Sequence, residues 1–415
     1  NNYFGYNAGV GTTTASHVLG IGAAALGANT TGTQNVAVGN YSLDACTTGN
    51  YNTALGVNAG GALTTGTNSV FIGTNAGVSQ TTAANNVIVG YNAGDSVTTG
   101  HTNVIIGQNA AQAQTTAIEN VLVGNNVAAA LTTGQQNIII GDNAGAGAAV
   151  TGNSNVIVGD NAGYTLTSGA SNTFIGNAAG NQITTANFIT GVGSGCLDAL
   201  TTGASNVAVG YNAGTALTTA SNNTHVGTYS GDAVTTGANN TLMGTSAGGG
   251  LTTGAQSVAI GTNALLVATD PVNSVCVGHD AGKAITEGDS NTYIGQGTGI
   301  ATTTGNSNVA IGNVAGDVVT TGANNISIGI NTDPSANNGT QQLAIGYGAI
   351  GKGDNTAFVS SNGGAVYAGN NSADFSTTSD RRIKKNIVDN NVGLEKINQI
   401  QVRNFEYRTP DEIDE

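Results

Sequence analysis

Residues 86–102 carry the sequence N-V-I-V-G-Y-N-A-G-D-S-V-T-T-G-H-T, and this 17-residue unit recurs along most of the chain. The glycine after the apolar triplet marks each repeat. Marker glycines occur 21 times between Gly5 and Gly346, and 19 of the 20 intervals between them are 17 residues long. The remaining interval, from Gly141 to Gly159, is 18 residues. A register kept over this length predicts a repeat architecture.

The consensus unit is N-V-x-[VI]-G-x-N-A-G-x-x-L-T-T-G-x-x. Its apolar triplet is too short for a helix and rich in β-branched residues, which predicts a short strand. A second strand is expected around the Leu-Thr-Thr segment, as at residues 131–133. The Asn-Ala-Gly and Thr-Gly-x-Asn segments predict turns, because glycine and asparagine tolerate positive φ.

A single 17-residue unit cannot bury its own apolar face, whereas stacked units can. We therefore expect an all-β parallel β-solenoid, or β-roll, of about 20 coils. A spacing of ~4.8 Å per coil predicts a rod on the order of 100 Å long. Asparagine stands four residues before the marker in 15 of 21 units, which predicts a ladder of stacked amides. The extra residue, near residues 146–150, is expected to form a one-residue bulge that leaves the stack intact.

The position two before the marker is expected to point away from the core. It is often apolar, as at Phe71, Ile88, Ile105, Leu122, Ile139, Ile157, Phe174 and Leu242. A lone solenoid would expose such a stripe to water. We therefore expect it to pack against other chains, with a homotrimer as the favoured assembly.

The composition excludes several classes of protein. The 415 residues include 65 glycines and no tryptophan, and only 8% are charged, against about 25% in an ordinary domain. The net charge is −14, and up to residue 346 Lys283 is the one basic residue among 13 acidic ones. This balance argues against nucleic-acid binding. The cysteines, Cys46, Cys196 and Cys276, form neither a CxxC spacing nor a disulfide framework.

Two stretches of the repeat region resemble the heads of trimeric autotransporter adhesins. They are N-V-A-V-G-Y-N-A-G at residues 206–214 and N-S-V-F-I-G at residues 68–73. The longer T-T-G-x-x-N-x-A-x-G spacing resembles repeats of viral tail fibres. The resemblance covers residues 1–346 and implies a β-roll with three chains side by side.

A different module is expected to follow the repeats. Residues 347–378 form a glycine-rich transition, and residues 379–387, S-D-R-R-I-K-K-N-I, resemble the opening of the intramolecular chaperone domain of endosialidase-type tail spikes, peptidase family S74. Residues 379–415 are then expected to be a short α/β segment, the incomplete start of that domain. The resemblance implies that Ser379 attacks an adjacent peptide bond and that Lys384 acts as its base. We expect both ends of the chain to be cut short.

Other candidate sites have weaker support. The four histidines, at 17, 101, 225 and 279, occupy different registers, so no metal site and no cofactor is expected. Five aspartates share the register five after the marker, which is typical of a solubilising surface: Asp44, Asp95, Asp198, Asp232 and Asp317. Tyrosines that directly follow marker glycines are the candidates for sugar contact: Tyr6, Tyr91, Tyr211 and Tyr347. Phe71, Phe174 and Tyr293, two before the marker, are expected to pack between chains.

These observations favour a structural, non-enzymatic fibre of a virus tail or similar attachment appendage. Its expected partners are two further copies, other tail or appendage proteins, and a host-surface receptor, with glycans among the candidates. It is expected on the virion or at a cell surface. One alternative is a bacterial trimeric surface adhesin. A second is an ice-binding β-solenoid, which adjacent Thr-Thr pairs favour less than an alternating Thr-x-Thr array.

Overall fold

The structure is a computed structural model, and it describes residues 1–361, 364–369 and 376–377. The first 21 strands are three residues long, and each ends directly before a marker glycine. They are β1 (Asn2–Phe4), β2 (Leu19–Ile21), β3 (Val36–Val38), β4 (Thr53–Leu55), β5 (Val70–Ile72), β6 (Val87–Val89), β7 (Val104–Ile106), β8 (Val121–Val123), β9 (Ile138–Ile140), β10 (Val156–Val158), β11 (Thr173–Ile175), β12 (Thr190–Val192), β13 (Val207–Val209), β14 (Thr224–Val226), β15 (Thr241–Met243), β16 (Val258–Ile260), β17 (Val275–Val277), β18 (Thr292–Ile294), β19 (Val309–Ile311), β20 (Ile326–Ile328) and β21 (Leu343–Ile345).

Each strand pairs in parallel and in register with the strand one coil away, so Val87 faces Val104 and Val104 faces Val121. The predicted parallel β-solenoid with a 17-residue period is confirmed, and the described residues contain no helix. The 18-residue coil keeps the register, because Ile138 still pairs with Val156. The extra residue therefore lies in the loop between these strands and leaves the stack intact, as expected.

The middle residue of each strand faces the core, which reverses the predicted orientation. In β9, Ile139 is fully buried, whereas Ile138 and Ile140 are 40% and 36% exposed. The position two before the marker is therefore a core position, and Phe71, Phe174 and Tyr293 pack inside their own chain rather than between chains. All three residues of such a triplet are apolar, so alternation could not show which face is inside.

The expected second strand at the Leu-Thr-Thr segment is absent from the described coils. Three successive N–H groups, those of Thr98, Thr99 and Gly100, converge on one carbonyl oxygen, that of Thr115, at 3.0, 3.3 and 3.2 Å. A strand needs a ladder in which each carbonyl serves its own partner. The segment is therefore a bend, and each coil holds a single strand.

The predicted asparagine ladder lies inside the core and joins neighbouring coils. Asn223 is 1% exposed. Its Nδ2 donates to the carbonyl oxygen of Gly237 at 3.0 Å, and its Oδ1 accepts from the backbone N–H of Asn240 at 2.9 Å. The Nδ2 also lies 3.2 Å from Oδ1 of Asn206, so amide-to-amide contact supplements the bonds to the backbone. The ladder thus provides hydrogen-bond partners for backbone groups that the three-residue strands do not pair.

The marker glycines are required by close stacking of the coils. Gly210 has φ +143°, and a Cβ added there would lie 2.5 Å from the carbonyl oxygen of Gly227 in the next coil. No side chain fits at that distance, and L-residues rarely adopt this φ. The short distance to the next coil and the positive φ therefore both require glycine at the marker position.

The stack ends in a small antiparallel sheet. Strand β22 (Ala357–Ser361) pairs in parallel with β21, while β23 (Gly364–Ala368) pairs antiparallel with β22, and β24 (Ser376–Thr377) antiparallel with β23. Antiparallel pairing ends the succession of coils. No helix within the described residues is long and apolar enough to cross a membrane.

Candidate functional site

The outward face of the strands is an uncovered surface that runs along the solenoid. Each strand presents its first and third side chains outward, and these form two lanes that run along all 21 strands. We call these residues the outward lanes. Their exposed large apolar members are Phe4, Ile21, Val36, Leu55, Ile72, Ile138, Ile140, Ile175, Val209, Met243, Ile260, Ile294, Ile311 and Ile326. An apolar surface of this length is typical of an interaction site.

The first threonine of most Thr-Thr pairs donates its hydroxyl to a backbone carbonyl group one coil away. The Oγ1 of Thr47 donates to the carbonyl oxygen of Thr64, and that of Thr64 to the carbonyl oxygen of Thr81, at 3.2 and 2.9 Å. The second threonine, such as Thr65, is exposed. The exposed threonine hydroxyls therefore form a single column along the coils rather than a two-dimensional array, which weakens the ice-binding alternative.

The register of aspartates five after the marker is only half exposed. Partial burial raises the pKa of Asp44, Asp95, Asp198 and Asp232. Burial and then the nearby charge of Asp317 raise the pKa of Asp333 to about 6. Within the described residues, no group of three or more histidine, cysteine or acidic side chains could hold a metal ion.

The buried titratable groups have the character of core residues. The three cysteines are buried and form no disulfide bonds. Burial raises the pKa of Cys46 to about 11 and the pKa values of Cys196 and Cys276 to about 12. Their thiolates are therefore scarce at neutral pH. His225 occupies the core position of β14, and burial lowers its pKa to about 4. Neither of its ring nitrogens has a hydrogen-bond partner among the described residues.

Exposed tyrosines lie on the turns that follow the strands. Tyr6, Tyr91, Tyr211 and Tyr347, the predicted candidates for sugar contact, are 81%, 53%, 49% and 75% exposed. The structure brings Tyr211 together with Tyr229 of the next coil, with ring centroids 5.4 Å apart and planes at 86°. Tyr229 stands one position later in its own repeat, 18 residues after Tyr211, so a search for tyrosines at one register misses it.

Comparison with known proteins bears on the C-terminal segment. Residues 379–415 match the family described as the chaperone of endosialidase, peptidase S74. The match confirms the resemblance that the S-D-R-R-I-K-K-N-I run carries. Ser379 and Lys384 lie outside the described residues. No curated protein and no solved structure matches the chain.

The S74 match and the β-solenoid together fit a structural protein similar to a tail fibre. S74 chaperone segments assist the folding of the chain that carries them and cleave themselves, so they are not enzymes that turn over a separate substrate. The outward-lane residues are the feature that the sequence interpretation missed. Their signal is present in the first and third residues of each triplet, which are apolar in most coils.

Proposed function

We propose that the chain forms the shaft of a homotrimeric fibre in a virus tail or a similar attachment appendage. The shaft spans the distance to a host surface, and other appendage proteins and a receptor are its further partners. The protein then resides on the virion or outside the cell. The observation that carries this proposal is the pair of outward lanes.

The size of the outward lanes supports assembly. Two side chains per strand over 21 strands, each exposing on the order of 50 Å², give roughly 2,000 Å² of mostly apolar surface. The largest patch on a typical monomer is about 300–600 Å². Burying such a surface stabilises an assembly by about 25 cal/mol per Å² before the cost of association. A single chain on its own would not gain this stabilisation.

The axial repeat of the lanes favours a copy of the same chain as the partner that covers them. The outward side chains recur once per coil, at the ~4.8 Å spacing of paired strands. A partner stays in register over 21 strands only if it has the same repeat, and a second copy that runs parallel has it. The number three rests on the resemblance to trimeric adhesin heads and tail fibres.

Charge placed in the lanes tests this proposal. The double variant Ile138→Asp and Ile140→Asp puts two carboxylates in the outward lanes, where assembly would bury them at high cost. We expect analytical ultracentrifugation to show a trimer for the unaltered chain and monomer for the variant. The control is Thr133→Asp, because that register is exposed and naturally holds Asp270 and Glu287. A variant that keeps the mass of the unaltered assembly would contradict the proposal.

For the S74 segment, we infer chaperone action followed by one self-cleavage. The Ser379 hydroxyl adds to the carbonyl carbon of an adjacent peptide bond, and its proton passes to Lys384. The amine then leaves with that proton, and water hydrolyses the resulting ester. Ser379→Ala is expected to remain one polypeptide on a denaturing gel while the unaltered protein gives two. The same fragments from both would exclude Ser379 as the nucleophile.

A further inference from the structure

Tyr211 and Tyr229 form an exposed aromatic corner on the side of the solenoid. Their rings meet edge to face, and about half of each side chain remains in contact with water. The backbone joins them as well, because the N–H of Tyr229 donates to the carbonyl oxygen of Tyr211 at 3.0 Å. Both residues lie on the turns after β13 and β14 and not in the outward lanes. Stacking of chains through the lanes therefore uses other residues.

The backbone at Tyr229 shows that this tyrosine is not the residue that stability would select. Its φ is +55°, in the left-handed region, and the same register holds Asn58, Asn75 and Asn92 at φ 58°, 58° and 52°. Asparagine tolerates this conformation, and here its amides bond between coils, as from Asn58 to Asn75 at 3.2 Å. An aromatic residue loses that bond and gains little burial at 40% exposure. Tyr41 shares this register and this conformation, at φ 59°, so the feature that distinguishes Tyr229 is its added contact with Tyr211. A strained, exposed pair of rings points to a binding role.

The surroundings of the corner supply a hydrogen-bond acceptor. Asp232 lies three residues after Tyr229 on the same turn. Its side chain is partly exposed, as is that of Tyr229. The pKa of Tyr229 is raised, first by lost solvation and then by its interactions with Tyr211 and Asp232.

We propose that Tyr211, Tyr229 and Asp232 form a lateral binding site for a neutral sugar residue of a host-surface glycan. The apolar C–H face of a pyranose ring packs on a tyrosine ring, and the carboxylate accepts hydrogen bonds from sugar hydroxyls. Anionic sugars are excluded because the carboxylate stands in the site and the repeats carry 13 acidic residues against one basic residue. That the glycan belongs to a host surface rests on the proposed function, whereas the chemistry of the site does not.

Tyr91 provides a matched control. It occupies the same register as Tyr211 and is 53% exposed, against 49%. The next coil holds Asn109 where the pair has Tyr229, and the N–H of Asn109 donates to the carbonyl oxygen of Tyr91 at 2.9 Å. Tyr91 therefore has the same backbone but no aromatic partner.

The test uses the full chain on immobilised oligosaccharides: maltohexaose, cellohexaose, chitohexaose, a β-1,4-galactan, and the anionic polygalacturonate and sialyllactose. We expect retention on at least one neutral glycan, weakened about tenfold or more by Tyr211→Thr and by Tyr229→Asn, and unchanged by Tyr91→Thr. Threonine and asparagine are native at these registers, as Thr228 and Asn212 show, so the folds of the variants are preserved. Tyr229→Asn is expected to unfold at the same temperature or a higher one.

Three results would overturn the site: no retention on any neutral glycan, retention on the anionic glycans alone, or retention that Tyr229→Asn leaves unchanged. Sedimentation of the same samples separates this failure from failure of the proposed function. A trimer that binds no neutral glycan would refute the proposed sugar site without contradicting the proposed function as a shaft.

Discussion

Replacing Asn223 by alanine removes one rung of the buried ladder, including its weaker contacts with Asn206 and Ser221. In the unaltered chain, the Asn223 side chain bonds to the carbonyl oxygen of Gly237 at 3.0 Å and to the N–H of Asn240 at 2.9 Å. Alanine leaves both backbone groups without these partners. A buried backbone group without a hydrogen bond costs about 1–3 kcal/mol. The two groups together predict a local loss of about 2–6 kcal/mol in the free energy of opening.

Serine at the same position is the matched control, because the ladder already contains it. Ser274 accepts from the N–H of Asn291 at 3.3 Å and donates to the carbonyl oxygen of Gly288 at 3.4 Å. These bonds are longer than those of Asn223 but serve both groups. We therefore expect Asn223→Ser to lose clearly less than Asn223→Ala.

Hydrogen exchange with mass spectrometry is the suitable assay, since a long repeat array need not unfold in one step and its coils open locally. For Asn223→Ala we expect amides of β14 and β15 to exchange at least roughly 30-fold faster, because every 1.4 kcal/mol is a factor of ten. Amides near β5 should be unchanged. Equal exchange in the alanine variant and the unaltered chain would refute the view that the ladder holds the coils together.

Two further substitutions test the core and the coil contact. His225→Leu is expected to make the stability of the solenoid less sensitive to acid. Burial lowers the pKa of His225 from its ordinary 6.5 to about 4, so the unfolded state binds the proton first as the pH falls. The stability contributed by the neutral ring is therefore lost between pH 6.5 and pH 4. Exchange of β14 amides against pH checks this, and an equal acid response in the leucine variant would contradict it. Gly210→Ala is expected to cost at least about 1–3 kcal/mol through strain and contact with Gly227, measured as a lower unfolding temperature. Gly61→Ala, whose nearest neighbour would lie 3.4 Å away, serves as its control, and equal effects at both glycines would be the contrary result.

The repeat period predicted the strands and their pairing because each coil has to place the same groups above one another. The glycine at 210 and the asparagine at 223 recur at that period, so their columns were visible in the sequence. The C-terminal segment was recognisable for another reason, since residues 379–387 carry an unusual run of charged and polar residues.

The direction of the side chains could not be predicted in the same way. A strand such as Val87–Val89 has three apolar residues, so its pattern fits either face. A large core residue at one position also accompanies a small one at another. Leu43 stands where most coils have glycine, the same coil has the small Ala37 in its strand, and both are fully buried. Leu197 and Gly191 make a similar pair. The contact between Tyr211 and Tyr229 depends on the offset between coils, which only the three-dimensional stack supplies.

Averaged electron micrographs of the isolated protein test the trimeric shaft most directly. The expected image is a rod on the order of 100 Å long with three-fold symmetry in cross-section and an axial repeat near 4.8 Å. Within it, the outward lanes of each chain should face the neighbouring chains. Single-chain rods at micromolar concentration, with the outward lanes open to water, would contradict the account.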